Sequence, residues 1–216
     1  MRPLPRIFRD CRSEIISGPD KEEPVKTTAI PVGMALLFGW WIIGFTAQGQ
    51  GGELKVGDKA PDFEIVKAGQ EKKGAPALKL SDLRGKKNVL VAFFPKAFSP
   101  GCTTQLCGYR DDFARFQSAE TDIVGVSVDP QSEAERFKKE KGFPFQVVGD
   151  PDAKIVKAYG VPLVDLPVGH VAKRSAFLID KTGVIRYIDL AYDVTAGKDP
   201  LYAAIKKLQD EKPAAK

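Results

Sequence analysis

The sequence predicts an α/β fold, a central mixed sheet flanked by helices, preceded by one N-terminal membrane-spanning or signal helix. Three observations carry this expectation. Two short apolar runs rich in β-branched and aromatic residues, 88–94 (NVLVAFF) and 122–128 (DIVGVSV), bracket an amphipathic stretch, which is the pattern of a parallel βαβ unit covered on both faces. Two later runs, 175–179 and 184–190, are joined by Asp180-Lys-Thr-Gly183, a hairpin turn with glycine where a positive φ is needed. Residues 29–47 (AIPVGMALLFGWWIIGFTA) carry no charge, whereas every flanking segment is rich in charge.

Taken in chain order, residues 1–28 are polar and are expected to be disordered, with Cys11 an incidental thiol. As a helix, residues 29–47 would measure roughly 28 Å at about 1.5 Å per residue, against a hydrocarbon core of about 30 Å. The length fits one span, and a retained anchor is expected because a secretory apolar region is usually only about 7–15 residues. Ala47-Gln48-Gly49 nevertheless offers a small-x-small cleavage site, and Met34 offers an internal start. Flanking charge, Arg9, Arg12, Lys21 and Lys26 against Lys55, Lys59 and Lys67, decides little about orientation. Long domains are exported largely regardless of charge, so the expectation is an exported C-terminal domain, or a secreted one if the segment is cleaved. Residues 48–54 (QGQGGEL) form a tether, leaving residues 55–212 as the folded domain.

Within that domain the first strand, 88–94, leads to a helix from Thr103 to about Ser118, in which Leu106, Phe113 and Phe116 share a face while Arg110, Asp111 and Arg115 stay wet. The strand 122–128 follows. Residues 132–141 (SEAERFKKEK) form a charged helix stopped by Gly142, and residues 153–159 another stopped by Gly160. The hairpin comes next, and a final helix runs from Pro200 to about Gln209. A parallel βαβ unit, then an antiparallel hairpin, then a closing helix is the plan of a thioredoxin-like fold.

Composition narrows the function. With 43% hydrophobic and 28% charged residues the chain is not a disordered one, and 3 Cys cannot form a disulfide framework. A net charge of +5 with no basic stripe interleaved with aromatics argues against nucleic acid as a partner.

The strongest local signal is 93–111, FFPKAFSPGCTTQLCGYRD. A buried strand ends at Pro95, a loop follows, and Cys102 sits where the next helix begins. An ordinary cysteine thiol, with a pKa of about 8.5, is only a few per cent ionised at neutral pH, and the thiolate is the reactive form. Helix N-H groups favour an anion there, but lowering a thiol pKa by two units needs about 2.7 kcal/mol. A helix terminus supplies about 0.3–1 kcal/mol, at best about 2. A cation must help, and Arg174 at the mouth of a later strand is the candidate. Cys107 follows five positions on. On one regular helix the two Cα atoms would lie about 8.6 Å apart with side chains diverging by roughly 140°, whereas a disulfide needs about 7 Å or less. If the pair does bridge, the first helical turns must unwind; otherwise Cys107 is a buried apolar thiol.

These residues resemble the peroxiredoxins, and within them the group called bacterioferritin comigratory protein or peroxiredoxin Q. The pattern Pro-x-x-x-Thr/Ser-x-x-Cys is met by Pro95, Ser99 and Cys102, the Pro-Gly-Cys-Thr core by residues 100–103, and the second cysteine by Cys107. Arg174 falls in an Arg-x-x-Phe-Leu-Ile-Asp stretch, and residues 56–63 and 125–129 also match. The resemblance implies a thiol peroxidase. Cys102 would be oxidised to a sulfenic acid by hydrogen peroxide or an organic hydroperoxide, Ser99 and Arg174 would hold the peroxide oxygens, and Pro95 would shield the thiolate. Cys107 would resolve the sulfenic acid as a disulfide, and thioredoxin or a similar dithiol protein would reduce it. No cofactor or metal is implied, and the chain would be a monomer or weak dimer. Ser99 stands where Thr is commoner, and Gln105 where Glu is usual. Two rivals share the fold: a membrane-anchored thiol-disulfide oxidoreductase, which uses Cys-x-x-Cys, and a copper chaperone, which needs a closer cysteine pair and a distal His. The only His is His170, in a Pro-Val-Gly-His loop.

Overall fold

A computed structural model describes residues 53–65, 78–167 and 169–211. The expectations for residues 1–28 with Cys11, for the apolar run 29–47 and for most of the tether lie outside the described residues. Among the described residues no helix is long and apolar enough to cross a membrane.

The chain opens with a two-stranded ribbon, β1 (Glu64–Ile65) and β2 (Leu78–Lys79), and a 3-10 turn over Leu80–Leu83. Then come β3 (Asn88–Phe93), α1 (Pro100–Asp111), α2 (Phe113–Ser118), β4 (Thr121–Ser127), α3 (Gln131–Lys141), β5 (Gln146–Gly149) and α4 (Lys154–Ala158). A second ribbon, β6 (Leu163–Leu166) with β7 (Gly169–Ala172), precedes β8 (Ser175–Ile179), β9 (Ile185–Asp189) and α5 (Lys198–Asp210). The central sheet has the order β5-β4-β3-β8-β9. Its β3-β4 and β4-β5 pairs are parallel, and its β3-β8 and β8-β9 pairs antiparallel. This is the mixed sheet of the thioredoxin-like fold.

All six residues of β3 are buried because the sheet is covered on both sides. Side chains alternate across a strand, so Leu90 and Ala92 join one core with Leu106, Phe116, Phe137 and Leu201, while Val89, Val91 and Phe93 join another with Val156, Tyr159 and Phe177. Small residues let α1 settle close to the sheet. Ala92 pairs with Gly125, and a Cβ at Gly125 would stand only 3.3 Å from Phe94 Cε1 and 3.4 Å from Leu106 Cδ2.

The single helix expected from Thr103 to Ser118 is two helices that meet at Asp112. The Asp112 carboxylate accepts hydrogen bonds from Lys198 Nζ at 2.9 Å and Tyr202 Oη at 2.6 Å, a long-range clasp that fixes the break. Arg110 is not wet as the pattern predicts: its side chain is 8% exposed, and Nη1 donates to the Lys141 carbonyl at 2.8 Å. Arg115 lies 3.7 Å over the Tyr202 ring centroid, a cation-π contact that caps the outer face of the ring. Helix α3 stops as expected at Gly142, in the left-handed region at φ 65°, where glycine carries no Cβ penalty. The short strand β5 and the β6-β7 ribbon are additional to the sequence reading.

Asp150, buried three residues before Ala153, the N-cap of α4, accepts the backbone N-H groups of Lys154 at 2.8 Å and Val156 at 2.9 Å. Those donors have no partner within the helix. Asp150→Ala is expected to cost about 1–2 kcal/mol and to lower Tm by about 2–8 °C, measured by thermal denaturation followed by circular dichroism. An unchanged Tm would show that another group or water replaces the carboxylate.

Candidate active site

Strand β3 hands the chain to a five-residue loop, 95–99, and α1 begins at Pro100 with Ser99 as its N-cap residue. Proline suits the first helical position, where its missing N-H would have no intrahelical partner. Cys102 is therefore the third residue of α1, in the turn whose N-H groups point out of the helix. It is fully buried and carries a free thiol.

The antiparallel pairing of β8 with β3 aligns Ser175 with Phe93, so the residue before β8 stands at the end of β3 where the cysteine loop starts. That residue is Arg174. Its carbonyl accepts the Tyr192 N-H at 3.1 Å, and its Nη1 lies 3.6 Å from Cys102 Sγ, 3.4 Å from the Gly101 carbonyl and 2.6 Å from Gln105 Oε1. A Cβ at Gly101 would come within 3.0 Å of Arg174 Nη2; glycine lets the guanidinium lie against the first turn.

Gln105 is 1% exposed and passes the contact inward, its Nε2 donating to Tyr109 Oη at 3.3 Å. Burial pushes the Tyr109 phenol well above its ordinary range, so this hydroxyl stays neutral. Among the described residues no carboxylate forms an ion pair with Arg174. The guanidinium thus faces the sulfur with neutral groups, the Gln105 amide and the Gly101 carbonyl, as its other partners.

The other sequence-predicted residues are placed less directly. Pro95 is half-buried at the start of the loop. Ser99 caps the helix by position only: its Oγ donates to the Lys96 carbonyl at 2.9 Å, within the loop. Cys107 is 3% exposed, on the same continuous helix as Cys102. It is disulfide-bonded, and Cys102 is a free thiol, so the two sulfurs are not joined to each other. The sequence reading missed Asp129, a 5% exposed carboxylate that accepts the Ala97 N-H at 2.7 Å and so grips the loop. It also noted Gln105 without its contact to Arg174. An aspartate two residues beyond a buried strand, level with the loop that follows the neighbouring strand, was the available signal.

His170 lies in strand β7, not in a loop, and its exposed ring pairs across the ribbon with Asp165. Among the described residues no group of three or more His, Cys, Asp or Glu is placed to hold a metal ion.

Comparison with known proteins agrees with this geometry. The model of the AhpC/TSA family matches residues 56–188. Peroxiredoxin Bcp of Bacillus subtilis (strain 168) is 38% identical over 133 residues, 60% of this chain and 81% of that protein. Chloroplastic peroxiredoxin Q of Oryza sativa subsp. japonica is 35% identical over 137 residues, 63% of this chain, and the match spans only 59% of the rice protein's length. Among solved structures, peroxidoxin BcpB from Mycobacterium tuberculosis superposes with a TM-score of 0.62 at 25% identity, covering 72% of this chain and 99% of that one. Peroxiredoxin Q of Xanthomonas campestris superposes with a TM-score of 0.55 at 26% identity, covering 62% and 86%. With its cysteine at the start of α1, an arginine brought to it across the sheet and a family match over most of the folded region, the chain belongs to the AhpC/TSA family, and its relatives are peroxiredoxins of the Q and Bcp type.

Proposed function

We propose that the protein is a thiol peroxidase that reduces hydrogen peroxide and organic hydroperoxides. The observation that carries this reading is the Arg174 guanidinium 3.6 Å from the free, buried sulfur of Cys102 in the first turn of α1. The Cys102 thiolate attacks one peroxide oxygen; an S-O bond forms, the O-O bond breaks, and the leaving oxygen departs as water or an alcohol after taking a proton. Negative charge grows on that oxygen in the transition state, where fixed donors are worth most. Arg174 and the N-H groups of the first turn are such donors, and the Ser99 hydroxyl becomes another once it turns from Lys96.

The resulting sulfenic acid on Cys102 condenses with the reduced thiol of Cys107, releasing water and forming a disulfide. A dithiol protein of the thioredoxin kind then returns two electrons by thiol-disulfide exchange. Because both cysteines lie on α1, condensation requires the helix to unwind. Pro95, at the head of the loop, limits access to the sulfur. The apolar run 29–47 supports a further part of the reading: a single-helix membrane anchor with the catalytic domain on the exported side.

In the fully reduced chain, Cys102→Ser is expected to abolish peroxide-dependent oxidation of a dithiol reductant; surviving turnover would refute the assignment. Cys107→Ser should complete one turnover and accumulate a sulfenic acid, detected by mass after dimedone labelling, and undiminished cycling would remove Cys107 from the reaction. Arg174→Ala should slow the oxidation of Cys102 at neutral pH by about tenfold to a hundredfold, the loss of roughly 1.4–2.7 kcal/mol of transition-state stabilisation, read in single-turnover experiments with hydrogen peroxide.

A further inference from the structure

Asp129 is a buried carboxylate that the proposed chemistry does not use. Parallel pairing of β4 with β3 sets the end of β4 beside the end of β3, and Phe94 N-H continues the ladder to the Val126 carbonyl at 3.0 Å. Two residues beyond β4, Asp129 Oδ2 accepts the Ser127 hydroxyl at 2.9 Å and the Ala97 N-H at 2.7 Å. Its Oδ1 faces Lys96 Nζ at 3.5 Å. Ala97 is the midpoint of the 95–99 loop. The next residue, Phe98, holds φ at 61°, a left-handed conformation that costs a side-chain-bearing residue about 1–2 kcal/mol.

The loop's own hydrogen bonds are weak restraints on that conformation. Ser99 N-H reaches the Lys96 carbonyl at 3.4 Å, and Ser99 Oγ reaches the same oxygen. The Phe98 ring leans on Phe137, with centroids 4.8 Å apart. Among the described residues, the hydrogen bonds that reach residues 95–98 from the rest of the fold both end on Asp129. A hydrogen bond to an ionised acceptor is roughly twice as strong as one between neutral groups, and three donors around one carboxylate offset the cost of burying it.

We propose that Asp129 is a positioning residue for the peroxide reaction: by holding Ala97 it fixes the strained loop, and with it Pro95 and Ser99, against the first turn of α1. This rests on the peroxidase reading above. Asp129 touches neither the sulfur nor the peroxide, so its effect is confined to reactions that need the loop. A peroxide must be held while its O-O bond breaks, and a misplacement of about 1 Å can cost 10²-fold. A small alkylating agent needs only the thiolate, which Arg174 and the helix N-terminus serve without Asp129.

The test uses the full reduced chain and two reagents, hydrogen peroxide and iodoacetamide, with the rate at Cys102 read by mass spectrometry. Asp129→Ala is expected to slow oxidation by about thirtyfold to a hundredfold while alkylation changes by less than about threefold. Asp129→Asn, whose amide oxygen can accept both Oδ2 hydrogen bonds, should recover most of the peroxide rate. Should Asp129→Ala fail to fold, Ser127→Ala removes one of the two donors that fix Oδ2 and should give the same peroxide-selective loss on a severalfold scale. Parallel loss of both rates, or loss of neither, overturns the proposal. A wild-type chain that reacts with peroxide no faster than free cysteine would overturn the peroxidase reading itself, and this proposal with it.

Discussion

The 3.6 Å contact between Arg174 and Cys102 is the interaction around which the domain is arranged. Neither residue could reach the other by local structure, since 72 positions separate them. The contact exists because β8 runs antiparallel to β3 in a register that sets Ser175 opposite Phe93. A slip of one residue would turn every side chain of β8 to the other face of the sheet. The register is in turn held by the two cores, since Ala176 and Leu178 belong to one and Phe177 and Ile179 to the other. Hydrophobic burial on both faces of the sheet thus sets the position of one cation.

That cation is held by a neutral group. Gln105 sits 2.6 Å from Arg174 Nη1 and is buried, and a carboxylate there would bind the guanidinium more tightly while cancelling part of its field at the sulfur. Tyr109 behind it is also neutral, kept so by burial. Among the described residues, the arrangement leaves Arg174 oriented and without a competing anion at hydrogen-bond distance.

What the sequence revealed and what it hid divides along sequence separation. The strands 88–94 and 122–128, the Asp180–Gly183 turn and the helix stop at Gly142 were legible because local pattern and backbone preference decide them. Cys102 was legible as a helix start after a strand, and Arg174 as a residue at the mouth of another. The break of the long helix at Asp112 was not legible, because its cause is Lys198 and Tyr202, 86 and 90 positions away. Arg110 was misplaced as a wet residue for the same reason, its acceptor being the Lys141 carbonyl. The β6-β7 ribbon escaped notice because all four residues of β6 are exposed, so no alternation of buried and exposed positions announces the strand. Asp129 was visible only as one residue in a matching stretch, and its grip on Ala97 depends on the pairing of β3 with β4.

The same long-range contacts decide how α1 can change shape. A bridge between Cys102 and Cys107 cannot form while the helix is regular, since five residues of helix hold Cα atoms about 8.6 Å apart. The two ends of α1 are held unequally. At the C-terminal end Asp112 is clasped to α5 by two charge-assisted hydrogen bonds, and Arg110 is tied to the end of α3. Lys198 also lies directly across Gly108, where a Cβ would meet its Nζ at 2.7 Å. At the N-terminal end, among the described residues, the hydrogen bonds include those from Arg174 to Gly101, Cys102 and Gln105, the side-chain bond from Thr104 to Pro100 and the bond from the Thr103 N-H to the Ser99 carbonyl. Unwinding between the two cysteines would therefore fall on the turn that carries Cys102, the end without a clasp to α5.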